Sequence, residues 1–246
     1  MTSSNNGMFE PFSVTTGLVL LITLALLLGV HWKRKLARPK LGVRVVMISD
    51  THGRHRDLTN LPEADILIHA GDWTHFGKEE NARDFNEWLG ALSQYQHKIV
   101  VNGNHEHNAE WKGKVQQILS NAIFLRDEET TIRVKARGDG AGADVPVQIW
   151  GTEFFWPMTT PNPHYAQIPN GCDIIICHGP CKDRVDGGRG CQSMLSSVRR
   201  VGPRLVVSGH IHHAHGVVED NGTVFVNAAN ANHGYSMGWD SVVVDL

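Results

Sequence analysis

Five short segments constrain this chain more than anything else in it: Ser49-Asp50-Thr51-His52-Gly53, Gly71-Asp72, Gly103-Asn104-His105-Glu106, His178-Gly179-Pro180 and Gly209-His210-Ile211-His212. Each follows an apolar run: Val43 to Ile48, Ile66 to Ile68, Ile99 to Val101, Ile174 to Ile176 and Leu205 to Val207. Such runs, rich in β-branched residues, read as buried strands. A strand ending in a glycine-containing turn throws its last polar side chains into the loop beyond the sheet, where groups from distant positions converge. Together the turns supply seven groups able to hold two divalent metal ions: Asp50, His52, Asp72, Asn104, His178, His210 and His212. Asp50 and His52 are two residues apart, so both reach one ion from a single loop; His210 and His212 repeat that spacing. A lone His or an isolated Gly-Asp is usually a satisfied polar group, so the weight lies in the ordered set.

A length of 246 residues fits one α/β domain plus an appendage, and a hydrophobic content of 41% is enough for a sizeable core. The net charge of −2 conceals an asymmetry. Residues 33–40 carry five basic side chains (Lys33, Arg34, Lys35, Arg38, Lys40) and no acid. Setting these and Glu10 aside leaves 18 basic against 24 acidic residues from Leu41 onward, a net of −6. Nucleic acid is therefore not expected as a partner, because affinity for it comes from clustered Lys and Arg. The cysteines, Cys172, Cys177, Cys181 and Cys191, lack structural-zinc spacing. They read as reduced thiols in and beside a buried strand, with a disulfide left open.

Residues 11–32 contain no Asp, Glu, Lys or Arg, and Leu18 to Val30 is almost wholly aliphatic. That is just long enough to span a bilayer as a helix. A cleaved signal peptide competes with this reading. Against it, no basic residue precedes the apolar run, and Trp32-Lys33-Arg34-Lys35 follows where a small-residue cleavage site belongs. The expected order is a short tail (1–10), a transmembrane anchor (11–32), a basic tether (33–42) and a globular domain (43–246). The basic flank makes this a single-pass membrane protein with a cytoplasmic domain, the tether lying against anionic head groups.

Within the domain, the spacing of Phe85, Trp88, Leu89 and Leu92 predicts a helix over 79–92, and a weaker pattern predicts one over 109–119. A third is expected over 191–200. The stretch 154–169, with four prolines and four aromatics, is expected to be an irregular loop facing substrate. Asp220-Asn221-Gly222 reads as a turn between short strands.

The ordered pattern Asp-x-His, Gly-Asp, Gly-Asn-His-Glu, lone His and Gly-His-x-His resembles the calcineurin-like metallophosphoesterase superfamily, from about Val43 to the C-terminus. Ile149-Trp150-Gly151-Thr152, His178-Gly179-Pro180, Arg189-Gly190-Cys191 and Phe225-Val226-Asn227-Ala228 resemble its metallophosphoesterase-domain-containing branch. The resemblance implies an α/β fold: a four-layer metallophosphoesterase sandwich of two mixed β-sheets flanked by helices. It implies that Asp50, His52 and His212 bind one metal, that Asn104, His178 and His210 bind a second, and that Asp72 bridges two ions roughly 3.5–4 Å apart. Oxygen and nitrogen donors without thiolate suit Mn, Fe, Zn, Co or Ni better than Ca. The implied reaction is phosphoester hydrolysis by hydroxide generated between the ions. The implied substrates are small phosphodiesters, cyclic nucleotides among them; a protein phosphatase or phosphomonoesterase is the alternative, and a non-catalytic membrane-tethered scaffold a second. His105 matches the family's non-ligand histidine, which contacts the phosphate and protonates the leaving oxygen, a role suited to imidazole. Asn104 and His105 are the implied substrate-binding pair. Trp73, Phe154, Phe155, Trp156 and Tyr165 are the aromatics available to stack on a base.

Overall fold

Parallel strands need crossovers, and the chain supplies them as helices and long loops between its apolar runs. The structure, a computed structural model, describes residues 38–246. The expected tail, the expected anchor and most of the tether lie outside the described residues, and among those described no helix is long and apolar enough to cross a membrane. In chain order the elements are β1 (Arg44–Ile48), β2 (Ile66–His69), α1 (Glu79–Ala91), β3 (His97–Val100), α2 (Asn104–His107), α3 (Val115–Ile118), β4 (Ile123–Phe124), β5 (Glu128–Lys135), β6 (Asp144–Gly151), α4 (Pro163–Ala166), β7 (Ile174–Ile176), α5 (Gln192–Val201), β8 (Leu205–Ser208), β9 (Gly216–Asp220), β10 (Thr223–Asn227) and β11 (Val242–Asp245).

The strands form two mixed sheets, ordered β11-β1-β2-β3-β4 and β5-β6-β7-β8-β10-β9. In the first, β1 to β4 run parallel and β11 lies antiparallel to β1. In the second, β6, β7, β8 and β10 are parallel, with β5 and β9 as antiparallel edges. Alternation along each strand sorts the side chains into layers. Val45 and Met47 of β1 join Ile68, Ile149, Ile176 and Val207 in the core between the sheets. Val46 and Ile48 point the other way, onto Phe85, Trp88 and Leu89 of α1. On the far face Ile175 and Val206 meet Met194, Leu195 and Val198 of α5. Helix, sheet, sheet and helix thus stack in four layers, and because the parallel strands are covered on both faces their runs need no polar alternation.

Two expected elements differ. The helix expected over 109–119 shrinks to a 3₁₀ turn at Lys112–Lys114 and one α-turn at Val115–Ile118. Trp111 is pulled into the core, where its Nε1 donates to the Gly77 carbonyl at 2.7 Å, and the chain bends to deliver it. The 154–169 loop, expected to be wholly irregular, carries a turn of helix at Pro163–Ala166. Asn162 caps it by accepting from the His164 N–H at 2.9 Å, and Pro163 sits in the first turn, where its missing N–H costs nothing. Asn221 and Gly222 turn the β9–β10 hairpin with φ of 53° and 77°, the signature of a tight primed turn. All four cysteines are free and buried in the outer layer beneath α5.

Candidate metal centre

The five turns open at the C-terminal ends of β1, β2, β3, β7 and β8, so both sheets deliver polar groups to one edge. The sheets are tied there beyond their last residues: Ser49 N–H donates to Asn230 Oδ1 (3.2 Å), and Asn230 N–H donates to the Ser49 carbonyl (2.8 Å). Three groups of candidate ligands result, each with its donor atoms mutually within 4.8 Å: Asp50, His52 and His212; Asp72, His178 and His210; and His52, Asp72 and His105. Asn104 joins the second, its Oδ1 lying 3.2 Å from His178 Nε2. The seven candidate ligands and His105 therefore converge on one site. Four of them, Asp50, His52, Asp72 and His210, adopt positive φ between 46° and 67°. Bulky residues in that region cost on the order of 1–3 kcal/mol each and concentrate where function demands a side-chain direction.

The motif glycines make room. A Cβ on Gly103 would lie 2.1 Å from Asp72 Oδ1, and one on Gly209 would lie 2.2 Å from Asp50 Oδ2. Glu106 secures the same turns from beneath. Its fully buried carboxylate accepts from the N–H groups of Asp72, Thr74 and Gly103 and from the Thr74 hydroxyl, at 2.6–2.9 Å.

The hydrogen bonds fix which imidazole nitrogens hold lone pairs. His178 Nδ1 donates to the Ala70 carbonyl at 2.8 Å and His212 Nδ1 to the Asn232 carbonyl at 2.9 Å. Each Nε2 lone pair then points inward, as in metal sites where a backbone carbonyl sets the tautomer. What those lone pairs meet is carboxylate oxygen: His178 Nε2 faces Asp72 Oδ2 at 3.3 Å, and His212 Nε2 faces Asp50 Oδ1 at 3.3 Å. Acceptor facing acceptor in a buried site calls for a cation between them, so these residues fit divalent metal.

The electrostatics agree. Burial opposes ionisation of Asp50 and Asp72, yet His178 beside both holds them below the usual carboxylate range. Burial likewise opposes charge on His178, but Asp72 and Asp50 together push it up to about 10, a strong demand for positive charge at that point. Burial keeps His52 and His210 neutral, each pushed down to about 4, as a lone-pair donor must be.

His105 behaves differently. Its Nδ1 accepts the Phe76 N–H at 2.9 Å, so its ring proton sits on Nε2, which lies 3.7 Å from Asp72 Oδ2. A protonated Nε2 has no lone pair for a metal. Among the stacking candidates, Trp73 and Tyr165 are buried in the core, whereas Phe154 and Trp156 pack on His210 with centroids 5.2 and 4.3 Å away. Sequence reasoning passed over Glu106 as an anchor, Asn230, and the aromatics Phe76 and Tyr235. Asn230 lies three residues past a strand and two beyond the Phe225-Val226-Asn227-Ala228 segment, outside any ligand motif, and the aromatics sit in loops without periodicity.

A two-sheet α/β sandwich whose strand ends converge on carboxylates and imidazoles is the architecture of a metal-dependent hydrolase. The calcineurin-like phosphoesterase family model matches residues 43–214, and the chain belongs to that family. It is 35% identical over 240 residues to metallophosphoesterase domain-containing protein 1 of Homo sapiens, a match covering 82% of this chain and 71% of that protein; the Mus musculus protein matches to the same extent. The crystal structure of TT1561 of Thermus thermophilus superposes with a TM-score of 0.52 at 12% identity, covering 75% of this chain and 88% of that one, a likeness of fold alone. The chain is thus a phosphoric ester hydrolase of the metallophosphoesterase branch.

Proposed function

We propose that this hydrolase binds two divalent metal ions and cleaves small phosphodiesters, nucleotides among them. The observation that carries the reading is the pair of ligand groups, Asp50 with His52 and His212, and Asp72 with His178, His210 and Asn104, meeting at one edge. Bound ions from the Mn, Fe, Zn, Co and Ni set supply Lewis acidity toward the phosphoryl oxygens and activate water. Asp72 groups both with His178 and His210 and with His52 of the other set, and would be the carboxylate shared between the ions. His105 holds a proton at Nε2 and presents it to the phosphate or leaving oxygen as a hydrogen-bond donor.

Support for a diester over a monoester comes from charge. The cationic groups felt by Asp50 and Asp72 are imidazoles. Arg54, two residues past His52, is occupied by Asp57 (2.7 Å) and the Tyr235 carbonyl. A dianionic monoester or phosphorylated protein is ordinarily clamped by free guanidinium or ammonium groups; a monoanionic diester needs fewer. The test is turnover by the full-length chain of bis(p-nitrophenyl) phosphate, a cyclic nucleotide, p-nitrophenyl phosphate and a phosphopeptide, with Mn added and after chelation. Diester turnover restored by metal supports the reading. Monoester or phosphopeptide preference overturns the substrate assignment, and turnover indifferent to chelation overturns the metal assignment.

For the N-terminal region the proposed arrangement is a single-pass anchor at 11–32 with the domain on the cytoplasmic side. It is supported by the apolar run and its basic flank. Asn221-Gly222-Thr223 is the chain's sole glycosylation acceptor pattern, and Asn221 is exposed in the β9–β10 turn. Expressed intact in a eukaryotic host, the protein should pellet with membranes and show no mass shift on glycosidase treatment. A glycan on Asn221 would reverse the orientation.

A further inference from the structure

Phe76 and Tyr235 stand exposed at the rim of the centre, 66% and 38% accessible, on separate loops between β2 and α1 and between β10 and β11. Their rings end a continuous row. Phe76 stacks on His105 (4.6 Å, 14°), His105 lies 4.6 Å from His52, and Tyr235 stands edge-on to His52 at 4.6 Å and 85°. The two aromatics thus bound a floor made of the proton-bearing histidine and a candidate ligand.

Both are keyed to that floor through the backbone. The Phe76 N–H is the group that sets the His105 tautomer. The Tyr235 N–H donates at 3.1 Å to the Asn232 carbonyl, the same oxygen that accepts from His212 Nδ1. Both adopt left-handed backbone, with φ of 52° and 59°, which bulky residues rarely do. Their apolar faces turn to solvent at this cost in two loops that meet the same site. Phe154 and Trp156 differ: both are half-buried and packed on His210, and Trp156 is wedged so closely on Gly179 that a Cβ there would lie 2.5 Å from the indole.

We propose that Phe76 and Tyr235 form an aromatic clamp that receives the planar base of a substrate whose phosphate lies at the paired ligand groups. The clamp makes nucleoside phosphodiesters better substrates than alkyl phosphodiesters. It rests on the phosphodiesterase reading above and adds the substrate's other half. Uncharged rings stack on any base and offer nothing to a second phosphate or an acidic side chain.

The experiment compares thymidine 5′-(p-nitrophenyl) phosphate with methyl p-nitrophenyl phosphate on the full-length chain loaded with Mn. The leaving group is the same, so the ratio of the two kcat/KM values isolates the nucleoside. In Phe76→Leu and Tyr235→Leu that ratio should fall about tenfold each, mainly through KM, the scale of base-aromatic stacking. Any disturbance of His105 affects both substrates and cancels. Phe76→Tyr and Tyr235→Phe should keep the wild-type ratio. A ratio unmoved by the Leu variants, or lowered equally by the aromatic ones, overturns the clamp. If the wild type prefers monoesters, the phosphodiesterase reading fails separately, and the clamp is read from the same ratio for thymidine 5′-monophosphate against glycerol phosphate.

Discussion

The backbone N–H of Phe76 donates to Nδ1 of His105 over 2.9 Å, so this ring carries its proton at Nε2 and cannot become an imidazolium while that bond lasts. Burial also pushes His105 below the ordinary histidine range, against the pull of Asp72. This geometry favours a neutral donor that would stabilise charge by a hydrogen bond over the expected transfer of a proton to the leaving oxygen. His105→Ala should lower turnover roughly 10²–10³-fold, the usual loss for one such donor, with metal content near wild type. His105→Gln restores an N–H at similar reach and should recover part of the loss. If Gln is as poor as Ala, proton transfer is the role after all; if Ala loses metal, His105 is a ligand. The deficit should be smaller for p-nitrophenyl esters, whose leaving group needs least help.

Glu106 supports the turns from which Asp72 and Asn104 project. All its partners are donors: the N–H groups of Asp72, Thr74 and Gly103, and the Thr74 hydroxyl. Glu106→Gln turns an NH₂ toward one of these sets and leaves a buried clash of donors costing about 1–3 kcal/mol. The melting temperature should drop by several degrees and metal affinity should fall with it, because the Asp72 amide loses its anchor. A melting curve and metal titration matching wild type would show that the carboxylate is dispensable.

How far the sequence reaches is visible in these residues. Each candidate ligand falls within four residues of a strand end, so a buried apolar run followed by a glycine turn announced it, and the sheets then had little freedom over where it went. The four-layer stacking followed from resemblance, and the alternation of Val45 and Met47 against Val46 and Ile48 explains it only once both faces are known to be covered. The pairing of β11 with β1 joins residues about 200 positions apart, which local periodicity does not encode. Trp73 offered itself as a stacking surface because it adjoins Asp72, yet it faces Phe85 in the core, and Tyr165 is buried likewise. Sequence adjacency to a ligand does not say which way the next side chain points. Phe76 and Tyr235 take their place from the left-handed backbone of their loops, for which no residue pattern stood out.

Close approach explains Gly103 better than flexibility does. Its backbone packs so tightly on Asp72 that an added methyl would overlap the Oδ1 of that carboxylate. Gly103→Ala should therefore displace Asp72, cutting metal-dependent turnover by at least tenfold and weakening metal binding. Gly113, exposed and with nothing within 4 Å of where a Cβ would stand, is the matched control, and Gly113→Ala should leave both near wild type. Equal effects of the two substitutions would mean that the alanine acts generally on backbone and not at the site.

Acid should weaken the fold through His55, which lies beneath α1, away from the ligand groups. Its Nε2 donates to Asp84 Oδ2 at 2.9 Å, while its Nδ1 is buried with no partner. Protonation would place a second N–H there with nothing to accept it. Burial accordingly pushes His55 down to about 4, despite the opposing pull of Asp84. An unfolded histidine titrates near 6.5. Between those values the unfolded chain binds the extra proton and the folded one does not, so this contribution to stability is complete above about pH 6.5 and declines as pH falls toward 4. His55→Gln retains an N–H for Asp84 and does not titrate. Melting curves at pH 7.5 and pH 5 should show a smaller drop for the variant than for the wild type, both measured with chelator so that metal release does not contribute. Equal drops would assign the acid sensitivity to other groups, the fully buried His69, pushed down to about 3 by burial, being first among them.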